Sequence, residues 1–333
     1  MRNPNSTHPH RYDLIGDIHG HHDKLVALLR TLGYTPRHPG GFTGWHHPEN
    51  RRVIFLGDYI DRGPSARDVL RTVRGMVDAE DALAIAGNHE FNAICFGTPD
   101  GHGGWLRERR RDRDAGHWET LRQFEGCEDE WRSWLEWMRE LPMFLERDGL
   151  RAVHACWDAE RIDRIRKESL ADDEFLHRAS NRGSPEHGAI EHVLKGPEVA
   201  MPEGMTIPDQ NGVFRPATRV RWWNLPTGGA TIGEIAMPDP QPVDLTVPED
   251  RFAELPNYAS GEPPVFFGHY WLRPDRPRAP LTSNAACLDY SAAAGDNPVV
   301  AYRWNGEQRL LPENFIVPAA GIEPARPKMA NGF

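Results

Sequence analysis

Residues 51–63 read RRVIFLGDYIDRG: an apolar run that ends at Gly57-Asp58, then Asp61-Arg62-Gly63. Val, Ile and Phe in succession suit a short buried strand, and Gly-Asp where the run stops is turn chemistry. So dense a cluster of Asp58, Asp61 and Arg62 has two readings. One is a surface turn; the other is a metal site with a phosphate clamp. The same design recurs: DLIGDIHG ends in Asp17 and His19, ALAIAGNHE in Asn88 and His89, LRAVHA in His154, and VFFGHY in His269. In an α/β sheet the carboxyl ends of the strands meet at one edge, where ligands bind. A single Asp or His after a strand is usually a turn or core residue, but five repeats of one local design point to a shared site.

Composition sets the limits. The chain has 333 residues, 39% hydrophobic and 26% charged, as expected of a globular protein with a sizeable core. Its 39 Lys+Arg against 49 Asp+Glu give a formal charge of -10, which disfavours a nucleic-acid partner. No apolar run reaches the ~18 residues of a membrane helix, and the N-terminus lacks a secretory apolar core. Cys95, Cys127, Cys156 and Cys287 form no CxxC pair, so structural zinc is not expected and a reducing cytoplasm is. Cys156 reads as a small buried filler, and His21 and His22 as supporting or surface residues.

Strand and helix patterns alternate through the first half. HHDKLVALLRTLGY places Leu25, Leu28, Leu29 and Leu32 on one helical face, and SARDVLRTVRGMV predicts a second helix with Ser65 as its cap. The charge run RERRRDRD reads as a solvated helix or loop. Trp131, Trp134, Leu135 and Met138 form a packing stripe on a further helix. From 159 to 262 the chain turns rich in Pro, Gly and charge, and is expected to be an inserted lobe or lid, with RVRWWNLP as a strand within it. AACLDYSA and PVVAYRWNG are expected to pair as a closing hairpin. A single domain over 11–318 and a flexible tail over 319–333 complete the expectation.

Carboxylates, an amide oxygen and imidazoles without thiolate suit Mn²⁺, Fe or Zn²⁺, and the donors outnumber the needs of one open-sited ion. Two divalent ions are therefore expected, with Mn²⁺ first. GDIHG, GDYIDRG, GNHE and the separate VHA and GHY resemble the calcineurin-like metallophosphoesterases, and within them the phosphoprotein phosphatase branch, which includes symmetrical diadenosine tetraphosphatases. The resemblance is close over residues 13–91 and continues as single histidines at 154 and 269.

That resemblance implies an α/β fold with a central β-sandwich flanked by helices. It implies that Asp17 and His19 hold one metal, that Asp58 bridges, and that Asn88, His154 and His269 hold the second. His89 would be the general acid, oriented by Asp61, and Arg62 would clamp phosphate, with Asn88 also touching substrate. A second phosphate arginine is expected at Arg219 or Arg221, only one of which should serve. The chain departs from the family at Ala155-Cys156-Trp157 and in the long gap between His154 and His269. The implied activity is phosphate-ester hydrolysis by a metal-bridging hydroxide, with a phosphorylated substrate as the partner. A phosphomonoester or phosphoprotein substrate comes first and a dinucleoside polyphosphate second. An inactive metal-binding regulatory protein is the rival from another class.

Overall fold

Each apolar run read above becomes a short strand; two stop directly before a glycine, two stop one or two residues short of one, and Leu150–Val153 runs straight into His154. In the computed structural model, which describes residues 11–37, 44–110, 115–208, 213–237 and 243–318, Tyr12–Ile15 and Ala82–Ala84 lie parallel to Arg52–Phe55 on its two sides. Ala301–Trp304 pairs antiparallel with Tyr12–Ile15, and Phe315–Ile316 adds the last strand of this five-stranded sheet. A second, four-stranded sheet holds Phe144–Arg147, Leu150–Val153, Val265–Phe267 and Ala285–Cys287. The connections between the parallel strands of the first sheet are the helices His22–Thr31 and Ala66–Asp78, which bury Leu25, Leu28 and Leu29, and Val69, Leu70, Val73 and Met76. Parallel strands need such crossovers, and the helices cover the sheet face.

The two sheets share one core. Phe266 of the second sheet packs its ring 5.0 Å from that of Tyr302 in the first. The chain segments that leave the two sheets meet closely at Gly16, where an added Cβ would lie 2.2 Å from the Leu288 carbonyl oxygen. The architecture is therefore the expected α/β sandwich, but the liganding strand ends come from two sheets rather than one.

Three local expectations are corrected. The AACLDYSA and PVVAYRWNG segments form no hairpin: Ala285–Cys287 joins the second sheet parallel to Val265–Phe267, while Ala301–Trp304 joins the first. Two apolar runs close in sequence can fill adjacent layers as readily as adjacent strands. RVRWWNLP is not a strand either. The strand Ala217–Arg219 ends there, and Trp222 and Trp223 turn into the core against Phe267, with Trp222 Nε1 donating to the Ala155 carbonyl at 3.1 Å. Burying two indoles outweighs extending a short edge strand. Ser65 sits at the cap position but makes no side-chain cap bond.

The segment 159–262 has two parts. Helices Ala159–Ile165, Asp173–Ser180 and Pro185–Lys195 pack Ile162, Phe175, Leu176, Ile190 and Leu194 into the main core. Beyond them Val199, Ile207, Val220, Ile232, Ile235 and Val247 belong to a separate small apolar cluster. The expected tail, 319–333, lies outside the described residues. No helix among the described residues is long and apolar enough to cross a membrane.

Gly16→Ala tests the contact between those segments. Because the obstructing atom is backbone, overpacking should lower stability by about 1–3 kcal/mol or more. A urea midpoint equal to that of the parent chain would show that the segments do not meet there.

Candidate metal centre

Left-handed backbone marks the loops that follow the strands. His19 (φ 46°), Asp58 (55°), Asp61 (71°), Arg62 (70°) and His269 (69°) all have positive φ without being glycine. Such residues cost about 1–3 kcal/mol each and persist where the surroundings over-determine them. Here the surroundings are explicit. His19 N–H and Ile18 N–H both donate to the Asp58 carbonyl, at 2.8 and 3.1 Å. Glu90, fully buried, accepts from the N–H groups of Asp58 (2.8 Å), Tyr59 (2.9 Å) and Gly87 (2.9 Å). His269 N–H donates to the Asp17 carboxylate at 3.2 Å, and an added Cβ at Gly268 would sit 1.9 Å from Asp17 Oδ1. Only glycine lets that backbone pass the carboxylate so closely.

Asp17, His19, Asp58, Asn88, His154 and His269 are all buried and all converge. Asp58 stands between two histidine groups. Its Oδ2 lies 3.5 Å from His19 Nε2 and 3.8 Å from His89 Nε2, while Oδ1 lies 3.4 Å from His154 Nε2. Asn88 Oδ1 faces His154 Nε2 at 3.0 Å and His269 Nδ1 at 2.7 Å. His19, Asp58 and His89 form one group able to hold an ion, and Asp58, His154 and His269 another. Asp17 adds an oxygen 3.8 Å from His19 Nε2.

The donor set fits divalent ions. His19 Nδ1–H donates to the Ile60 carbonyl at 3.1 Å, which leaves Nε2 as the lone-pair nitrogen; that atom is buried and without a hydrogen-bond partner. His154 is held in the same way through the Leu56 carbonyl at 2.7 Å. Burial and the nearby Asp289 and Asp58 charges raise the Asp17 pKa well above its usual range. Burial opposes charge on His154, yet Asp58 and its hydrogen bond carry that pKa up to about 10 without an ion, so the proton beside Asp58 is one that a bound cation would displace. Burial and the Arg62 charge keep His19 neutral, as a ligand must be. So many enclosed carboxylates call for positive charge beyond what one histidine supplies.

Beside the donors stands a second arrangement. His89 Nδ1–H donates to Asp61 Oδ2 at 2.5 Å, and its side chain keeps 17% of its surface exposed, more than any of the buried histidines around it. Burial alone would lower the His89 pKa, but Asp58 and Asp61 outweigh it and raise it. Arg62 lies over the Trp271 ring, 3.9 Å from its centroid, with Nη2 at 3.5 Å from His89 Nε2. Arg219 reaches the centre, donating to the His269 carbonyl at 3.3 Å, whereas Arg221 donates to the Glu234 carbonyl. Residues two apart on a strand share a face; these two part because the strand ends at Arg219.

Residues 10–214 match the family described as calcineurin-like phosphoesterase, more than half of the chain. The chain belongs to that family. Among curated relatives, it is 39% identical over 79 residues to an asymmetrical bis(5'-nucleosyl)-tetraphosphatase of Halalkalibacterium halodurans, covering 24% of this chain and only 30% of the relative. It is 26% identical over 264 residues to a symmetrical bis(5'-nucleosyl)-tetraphosphatase of Methylobacillus flagellatus, covering 77% of this chain and 80% of that one. A solved protein serine/threonine phosphatase from Saccharomyces cerevisiae is similar in fold, at 14% identity and a TM-score of 0.50, over 94% of this chain and 80% of that chain.

Several residues of this centre escaped the sequence reading. His117 Nδ1–H and Thr120 Oγ1–H both donate to Asp61 Oδ1, at 3.0 and 2.9 Å. Neither follows a strand, so no local pattern announces them. Asp289 accepts from Trp271 N–H (2.7 Å) and Ser291 N–H (2.9 Å), shaping the turn beneath Arg62. Glu90 was quoted within GNHE but given no role; a Glu at the third position of a helix reaching back to its start is a known capping pattern. Glu90→Gln should cost about 2 kcal/mol, since an amide cannot accept from all its N–H partners. It should also reduce bound metal by mass spectrometry or elemental analysis. Full metal content with parental stability would remove Glu90 from the support of this site.

Proposed function

We propose that the chain hydrolyses phosphate esters or phosphoanhydrides at a centre of two divalent ions. The observation that carries this reading is the Asp58 carboxylate, shared between two histidine groups beside the His89–Asp61 pair. In this reading Asp17 and His19 hold one ion, Asn88, His154 and His269 the other, and Asp58 both. The donor chemistry favours Mn²⁺, with Fe or Zn²⁺ as substitutes. Divalent ions there would supply Lewis acidity, drawing charge from phosphate oxygens and activating water near neutral pH.

The protein's own groups do the rest. Arg62, held by its stacking on Trp271, presents a planar fork to phosphate oxygens. Arg219 stands on the other side, by His269, and Asn88 contacts both metal and substrate. Asp61 accepts from His89 Nδ1, which fixes the ring so that Nε2 faces the substrate and delivers the proton to the leaving oxygen. His117 and Thr120 hold Asp61 in turn.

The arginine of the DRG motif fits a compact phosphatase site, and a phosphomonoester or phosphoprotein substrate is the first reading. The long alignment to a symmetrical tetraphosphatase supports the second substrate, a dinucleoside polyphosphate, and we place it level with the first. Residues 159–262 are read as the part that selects between them. A cytoplasmic setting remains part of the proposal, supported by four free cysteines.

Metal-stripped protein reconstituted with Mn²⁺ should hydrolyse p-nitrophenyl phosphate or diadenosine tetraphosphate. No turnover of either would favour the regulatory-protein reading instead. His89→Asn should keep both ions and lose about 10²–10⁴-fold in kcat; loss of metal would make His89 a ligand, as its place in the first group allows. Asp58→Asn should deplete both ions together, and an unchanged metal count would refute the bridge.

A further inference from the structure

Asn92 follows His89 by three positions on the helix Asn88–Gly97, so the two side chains share a face one turn apart. Both line a cavity of about 220 Å³ beside the candidate centre, together with Asp61, Arg62, Phe96 and His117 among others. That is less than the roughly 300–1,000 Å³ of a pocket for a whole small ligand. It suits the atoms next to a reacting bond rather than an entire leaving group. The charge run expected to be solvated contributes here as well: Arg107 lines this cavity, and also a second one of about 440 Å³ with Arg182 and Lys195.

The hydrogen bonds of the wall are already spent on one side. Asp61, its carboxylate among the described residues, accepts from His89 Nδ1 through Oδ2, and from His117 Nδ1 and Thr120 Oγ1 through Oδ1. His117 has its other nitrogen, Nε2, enclosed. Asn92 Oδ1 accepts from Arg107 Nη1 at 3.2 Å. A guanidinium has only donors, so the atom facing it must be the amide oxygen, and the carboxamide has one orientation. The Asn92 NH2 group therefore turns the other way, and it donates to none of the described residues. Asn92 is half-buried at the wall, so those two N–H bonds are open to a ligand.

In the hydrolase reading above, on which this step rests, Arg62 takes phosphoryl oxygens and His89 protonates the leaving oxygen. The helix begins at Asn88, among the metal donors, and each turn leads away from them. Asn92 thus stands beyond His89, on the side of the leaving group. We propose that Asn92 is a substrate-contacting residue, its NH2 donating to an acceptor oxygen that the leaving group carries within a few atoms of the scissile bond. A carbonyl oxygen of a phosphorylated residue and a non-bridging oxygen of a second phosphoryl group offer the same lone pairs. A leaving group without such an oxygen gains nothing from Asn92. The residue is then a selector of leaving groups, with no part in holding metal or delivering the proton.

Two variants separate this contact from the hold on Arg107. Asn92→Asp keeps an oxygen for Arg107 and loses the NH2; Asn92→Leu keeps the volume and loses both. The full chain is assayed with Mn²⁺ on phenyl phosphate, whose leaving group has no second oxygen, on a phosphoserine peptide and on inorganic tripolyphosphate. Both variants should lose at least about tenfold in kcat/KM on the peptide, the tripolyphosphate or both, and less than about threefold on phenyl phosphate, with metal content unchanged. Loss on the peptide alone identifies the acceptor as a carbonyl oxygen, and loss on tripolyphosphate alone as a phosphoryl oxygen. Parental activity in Asn92→Asp with impairment in Asn92→Leu overturns the inference, since Asn92 would then serve only to hold Arg107. So does an equal loss on every substrate, or a parent chain that turns over phenyl phosphate alone; each leaves the hydrolase reading standing. No turnover of any substrate by the parent chain overturns the hydrolase reading and this inference with it.

Discussion

Asp58 is the constraint around which the rest is arranged. Its carboxylate is buried, with one oxygen toward His19 and His89 and the other toward His154. Its backbone carbonyl accepts from Ile18 and His19, and its N–H is taken by Glu90. One residue thereby ties three strand ends of the first sheet to a strand end of the second. The positive φ of Asp58, and those of His19 and His269, are the strain that this convergence exacts.

Burying this much negative charge would be untenable without compensation. Asp17, Asp58, Glu90 and Asp289 are all enclosed within one small region. Some of their demand is met by backbone donors: Glu90 by the Asp58, Tyr59 and Gly87 N–H groups, Asp289 by Trp271 and Ser291. Asp17 and Asp58 have fewer such donors and more histidine nitrogens around them, which is where ions of double charge belong. His89, paired with Asp61, stands at the edge of that enclosure and lines a cavity, more exposed than the histidines within.

Much of the site was legible because strand ends carry local signals. Gly57-Asp58, Gly87-Asn88 and Gly268-His269 join a small residue to a polar one at the moment an apolar run stops, and each proved to stand in the cluster. Helical periodicity likewise placed Leu25, Leu28 and Leu29 on a buried face. The failures share a cause. AACLDYSA and PVVAYRWNG lie near each other in sequence, yet nothing in either segment states which sheet it joins. RVRWWNLP has strand-forming residues, but its indoles gain more from the core beside Phe267 than from an extended edge.

By itself, then, the sequence determined the chemistry of the centre: which donors are offered, in what local turns, with His89, Asp61 and Arg62 close at hand. Those signals are local, a few residues long, and survive in one dimension. Only the tertiary structure decided that Asp58 would face two histidine groups from two sheets, that His117 and Thr120 would hold Asp61, and that Arg107 would leave its charge run to line a cavity with Arg182 and Lys195. Those contacts join residues far apart along the chain, and their partners are chosen by how the layers pack, which no local pattern encodes.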